Sequence, residues 1–200
     1  MDFIPRIPIN IWTNRAIEYL QFKWASSFDQ FSSFLKAMIE GLQDGLIMIP
    51  PALFILIVAV IAWYLVNKKI ALFSVIGLLL IENMGLWIPT METLAMVIGA
   101  VFWCIVLGLP LGILAAKSST AHRIITPILD FMQTLPAFVY LLPAVTFFHL
   151  GVVPAIIATL IFAMPPVIRL TDLGIKSVPT ELEELGKSFG STFWQMLIKI

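Results

Sequence analysis

The sequence predicts an all-α integral membrane protein, with about five transmembrane helices after an N-terminal amphipathic helix and a short polar helix near the C-terminus. Three observations carry that prediction. The chain has 200 residues, 60% hydrophobic and only 12% charged, with a mean hydropathy of +1.00; a soluble domain carries about 25% charged residues. Apolar runs of bilayer-spanning length recur from Leu46 onward. Lysine and arginine collect in alternate loops between those runs.

Composition also removes several function classes. The formal net charge is zero, so no polyanionic partner is implied and nucleic acid is not expected. Cys104 is the single cysteine and lies in an apolar run, which leaves no disulfide framework and no metal cluster. His122 and His149 have no acid or cysteine cluster beside them in sequence, and read as solvated loop residues rather than ligands. No Ser-His-Asp set or paired-carboxylate site is legible, so no catalytic residue, metal or cofactor is expected and the chain is not read as an enzyme. The N-terminus lacks a basic n-region followed by an apolar h-region, so no cleavable signal peptide is expected.

In chain order, Met1–Asn14 carries Pro5, Pro8, Asn10 and Asn14 and reads as an irregular arm. From Arg15 to Asp44, Ile17, Leu20, Trp24, Phe28, Phe31, Leu35, Met38 and Leu42 recur at steps of three and four, with polar residues mostly between them. That is a long amphipathic helix, too polar to span a bilayer, with Gly41 and Gly45 expected to close it. It either lies in the membrane interface, aromatic stripe at headgroup depth, or packs on its own protein.

The spans then follow as Leu46–Val66, Ile70–Ile88, Leu94–Ala116, Ile124–Phe148 and Val153–Ile168. Pro50-Pro51 opens the first and Trp63-Tyr64 marks its interfacial end; Glu82 is read as interfacial at the end of the second. Gly99, Gly108, Pro110 and Gly112 are spaced through the third, and Pro165-Pro166 falls near the end of the fifth. Lys68-Lys69, Lys117 with Arg123, and Arg169, Lys176 and Lys187 follow the first, third and fifth spans, while the loops Ile88–Thr93 and His149–Val152 hold no lysine or arginine. The positive-inside rule makes the basic loops cytoplasmic and leaves the N-terminus outside. The organisation expected is an extracytoplasmic arm and helix over 1–44, a transmembrane domain over 45–177 and a cytoplasmic segment over 178–200.

That last segment, Val178–Ile200, is polar and carries local stop and start signals. Pro179, with Thr180 as N-cap and Glu183 three residues on, predicts a capping box; Leu182, Leu185 and Phe189 form one apolar stripe. Gly190 falls where a C-terminal glycine is expected, and Thr192 with Gln195 predicts the cap of a second helix. Two short helices about a glycine make a knob suited to a protein surface. Gly186-Lys187-Ser188 mimics the end of a phosphate-binding loop, but Glu181 occupies the position five residues earlier where that loop needs glycine, so the chain is not expected to bind nucleotide.

Glu184, Gly190 six residues later and Ile200 beyond nine intervening residues resemble the EAA loop of ABC importer permeases, with Leu185 and Gly186 in place of the two alanines. Pro127–Val145, Gly151–Pro179 and the opening PRIPI are similar to the glycine betaine/proline branch, and the resemblance covers nearly the whole chain. It implies a type I ABC importer transmembrane domain in a plasma membrane. Its coupling helix, with Glu184, Leu185, Gly186, Gly190 and Ile200, would seat in a groove of an ATPase subunit. It further implies a pair of ABC ATPase subunits, a substrate-binding protein or domain, a second permease copy as homodimer, and import of glycine betaine/proline-type osmoprotectants by alternating access. On spacing alone, Glu184 reads first as a helix-start acid favoured by the macrodipole, as do Glu181 and Glu183, and the resemblance reverses that order. The family's closing L-P and further spans would fall past Ile200, so a C-terminally truncated chain, fragment or gene product, is expected.

Within the fourth run Asp130, Gln133, Pro136 and Tyr140 are candidates for the translocation path. An acid at membrane depth faces a water-filled path or finds a partner; Asp130 either attracts a quaternary ammonium group or, seven residues after Arg123, caps or pairs locally. Pro127, Pro136 and Pro143 are expected to break or kink this run. Phe138, Tyr140, Phe147 and Phe148 offer ring faces to a cation, with packing and lipid contact the competing use. Arg169 and Asp172 are expected to pair with each other. Two alternatives stay open: an ion-coupled secondary transporter using Asp130, and a non-transporting membrane scaffold.

Overall fold

The computed structural model describes residues 9–199. Among them the elements are α1 (Ile9–Ile47), α2 (Pro51–Leu65), α3 (Lys68–Asn83), α4 (Trp87–Lys117), α5 (Ser119–Thr134), α6 (Ala137–Phe148), α7 (Val152–Lys176), α8 (Thr180–Ser188) and α9 (Phe193–Lys199), with no strand. They divide into two compact units: one of residues through Ala95 with Leu142–Pro154, the other of Met96–Leu141 with Ala155 onward.

In the first unit α1 already begins at Ile9, inside the stretch expected to be an irregular arm; the earlier part of that arm lies outside the described residues. Gly41 and Gly45 lie within the helix instead of ending it. The stop comes at Pro50-Pro51, because a proline ring disfavours helical backbone in the residue before it. Of the two readings for this amphipathic helix, its C-terminal half takes protein packing. Leu35 and Ile39 are fully buried, and the Phe28 ring lies 5.2 Å from Phe147 and 5.3 Å from Phe148. Gln21 Nε2 donates to the Thr146 carbonyl at 2.6 Å. Trp12, Tyr19, Phe22 and Phe34 stay exposed.

α2 and α3 pack against each other across a short turn in which the Asn67 side chain accepts from Ile70 N at 2.9 Å. Ile55, Trp87 and Met91 form the core beside them, with Phe54 edge-on to Trp87 at 5.6 Å. The second expected span ends early, at Asn83. Gly85 at φ +70° lets Leu86 N reach Ile81 O (3.1 Å) and Gly85 N reach Glu82 O (3.0 Å), a Schellman turn that stops α3 before Ile88.

Among the described residues two helices, α4 and α7, are long and apolar enough to cross a membrane, and up to four spans result if the bent pairs α1–α2 and α5–α6 each count as one. The expected five spans shrink for local reasons. α2 and α3, at 15 and 16 residues, reach only roughly 22–24 Å, against a hydrocarbon core of about 30 Å. The fourth run is divided at Leu135-Pro136. Pro136 makes that break; Pro127 and Pro143 lie inside continuous helix.

The second unit is held along an α4–α7 contact. A Cβ on Gly108 would fall 2.8 Å from Val167 Cγ1, and one on Gly112 would fall 2.5 Å from Thr171 Cβ. The G-x-x-x-G spacing on α4 therefore admits α7 to backbone distance, as small residues do where apolar helices pack.

Candidate functional site

The helix–turn–helix after α7 is built from interactions local in sequence. Pro179, not Thr180, is the N-cap of α8: its carbonyl accepts from Leu182 N (3.1 Å) and Glu183 N (3.3 Å), and no side chain caps this end. The expected Thr180–Glu183 box is absent because Thr180 is already helical; Glu183 instead pairs with Lys187 at 2.6 Å, one turn on. At the other end Gly190 is in the left-handed region at φ +72°. Gly190 N donates to Lys187 O (2.9 Å) and Ser191 N to Gly186 O (3.0 Å), a complete Schellman turn. The second cap is as expected: Thr192 N donates to Gln195 Oε1 (2.8 Å) and Gln195 N to Thr192 Oγ1 (3.4 Å).

Of the residues expected there, Glu184 and Leu185 are exposed, Gly186 is buried and supplies the carbonyl of the turn, and Gly190 makes the reversal. Ile200 lies outside the described residues. The apolar stripe is uncovered: Leu182 is 44%, Leu185 52% and Phe189 80% exposed. α9 is tied to α4 by the Lys117 ammonium, 5.0 Å from the centre of the Phe193 ring. A cleft of about 630 Å³, lined by Lys117, Lys176, Glu183 and Phe193 among others, separates these helices from the ends of α4 and α7.

The other candidate residues follow α5 into α6. Asp130 pairs with Arg169 of α7, so Arg169 does not take Asp172 as expected. Asp172 binds Lys176 Nζ at 2.7 Å and lies 3.1 Å from His122 Nδ1, which places His122 on α5 beside an ion pair and not in a solvated loop. Gln133 and Pro136 are exposed and Tyr140 is half-buried. Tyr140 Oη donates to Met132 O (3.0 Å), the carbonyl that Pro136, lacking an N–H, leaves without its helical donor; Phe131 O lies at 3.3 Å. Tyr140 thus caps the break. Phe147 and Phe148 pack on Phe28, while Phe138 is exposed. Sequence reasoning missed the His122–Asp172–Lys176 cluster, of which only the i,i+4 spacing of Asp172 and Lys176 was a local signal, and the α4–α7 contact, for which the G-x-x-x-G spacing was the signal.

Long apolar helices followed by an exposed helix–turn–helix define a polytopic helical membrane protein. The family described as "Binding-protein-dependent transport system inner membrane component" matches residues 108–200. The glycine betaine transport system permease protein OpuAB of Bacillus subtilis is 48% identical over 200 residues, covering 100% of this chain and 71% of that protein. The glycine betaine/carnitine transport permease protein GbuB of Listeria monocytogenes is 42% identical over 205 residues, covering 100% of this chain and 72% of its own. The glycine betaine/proline betaine permease protein ProW of Escherichia coli is 41% identical over 194 residues, covering 97% of this chain and 55% of its own. The chain belongs to this family of transport permeases, in its glycine betaine branch.

Proposed function

We propose that the chain is the membrane-spanning permease subunit of an ATP-driven importer of glycine betaine and related osmoprotectants, coupling ATPase closure to alternating access. The observation that carries the reading is identity of 41–48% over 97–100% of this chain to proteins named for glycine betaine transport. In this reading the basic loops and α8–α9 are cytoplasmic and the N-terminus is outside, by the distribution of lysine and arginine. The uncovered stripe Leu182–Leu185–Phe189 is the surface for an ABC ATPase subunit, with Glu184 beside it for a basic partner and Gly186 and Gly190 setting the turn. The assembly is a permease pair with a pair of ATPases, fed by an external substrate-binding protein or domain. Asp130, Gln133, Pro136 and Tyr140 mark the helix seam and break beside the path. The ion-coupled alternative is not favoured, because Asp130 is engaged by Arg169.

The test is uptake of labelled glycine betaine by cells expressing this chain with its ATPase and binding protein. Leu185→Asp with Phe189→Asp, both at exposed positions, is expected to abolish ATPase co-purification and uptake while membrane insertion stays normal. Uptake that persists with the ATPase detached overturns the reading.

A further inference from the structure

Five side chains join α5 to α7 within the second unit. His122 and Asp130 lie on α5; Arg169, Asp172 and Lys176 lie on one face of α7. Asp130 takes the Arg169 guanidinium, and His122 Nδ1 lies 3.1 Å from both Asp172 Oδ2 and Lys176 Nζ. The two attachment points on α5 are eight residues apart, roughly 12 Å along the helix. A single pair would act as a pivot; two so separated resist both rotation and sliding. Leu129 of α5 and Ile168 of α7 are both buried at this level, so these polar links stand beside packed apolar side chains. A cavity of about 210 Å³ opens between the helices at this level, lined by Ala115, Ile125, Leu129 and Ile168 as well as by His122 and Asp172. α7 has its own rigid support on the other side, through Val167 and Thr171 against Gly108 and Gly112. It ends at Lys176, and α8 starts at Thr180 after only Ser177, Val178 and Pro179.

We propose that this two-point polar seam carries displacement of α8 through α7 to α5, making His122, Asp130, Arg169, Asp172 and Lys176 positioning residues for coupling. The inference rests on the importer reading for its functional consequence, and on the geometry alone for its mechanical one. The Asp130–Arg169 pair is about half exposed and adds little to stability; Asp172, with its side chain only 14% exposed, is left in place by the variants below.

The test uses the assembled transporter in lipid, with spin labels at the exposed positions 128 and 173 and with substrate moved per ATP as the second readout. Arg169→Gln with His122→Gln is expected to broaden the α5–α7 distance distribution and to lower substrate moved per ATP by about fivefold. The charge swap Asp130→Arg with Arg169→Asp, made alone, is expected to keep both near wild type, which a role of either side chain apart from its partner would not predict. An unchanged distribution in the double glutamine variant, or a swap that behaves like it, overturns the seam. A wild-type complex without ATP-dependent uptake, in which the glutamine variant still broadens the distribution, overturns the importer reading and upholds the mechanical link.

Discussion

Gly112 of α4 and Thr171 of α7 touch so closely that a Cβ built on the glycine would lie 2.5 Å from Thr171 Cβ and 2.9 Å from the Ile168 carbonyl oxygen. Neither neighbour is the flexible end of a side chain, so an alanine there must push the helices apart. Gly112→Ala is expected to cost about 1–3 kcal/mol, the range for overpacking. Gly45→Ala, with nothing within 4 Å of its added methyl, is expected to be neutral or slightly stabilising. Unfolding of the two variants in detergent titrations checks the contrast.

Gly190 presents the opposite case: space is open around it, but its φ of +72° disfavours a side chain. Gly190→Ala should cost about 1 kcal/mol through backbone strain alone, and Gly190→Asn less. Amide exchange at Ser191, whose N–H bonds Gly186 O, should quicken in the alanine variant. ATPase association should weaken in parallel if the turn sets the docking surface.

The Thr192–Gln195 box is reciprocal, so removing either partner frees a backbone donor at the start of a helix of only seven residues. Thr192→Ala is expected to cost about 1 kcal/mol. The readout is faster amide exchange across Phe193–Met196 with α8 unchanged.

Tyr140 separates a capping role from a path-lining role. Tyr140→Phe keeps the ring and removes the hydroxyl that satisfies Met132 O beside Pro136. The expected loss is about 0.5–1.5 kcal/mol, the net worth of a part-buried hydrogen bond, together with greater mobility at Leu135-Pro136 by spin label. If Tyr140 instead meets substrate through its ring, the same variant leaves local order intact, and Tyr140→Leu raises the KM for uptake.

Met91 is fully buried against Ile55 and Trp87. Met91→Ala is expected to cost about 2–5 kcal/mol by opening a cavity there, whereas Met84→Ala, at an exposed position, should cost little. Thermal unfolding of the two variants is the measurement.

The sequence by itself determined the helical membrane class, because hydropathy and the scarcity of charge are summed over long runs and need no knowledge of contacts. It also determined the α8–Gly190–α9 reversal, since a Schellman turn and a capping box each close within six residues. Even there the start of α8 differed by one residue, Pro179 taking the cap expected of Thr180. Only the tertiary structure decided that Asp130 pairs with Arg169, 39 residues away, that His122 joins Asp172, and that part of α1 is packed by Phe147 and Phe148. It likewise decided which glycines are contacts: Gly45 and Gly112 both lie inside helices, yet only Gly112 has a neighbour against it. Helical periodicity places a side chain on a face, but which face meets which depends on residues dozens of positions apart, and the free energy of such a meeting has no local trace in the chain.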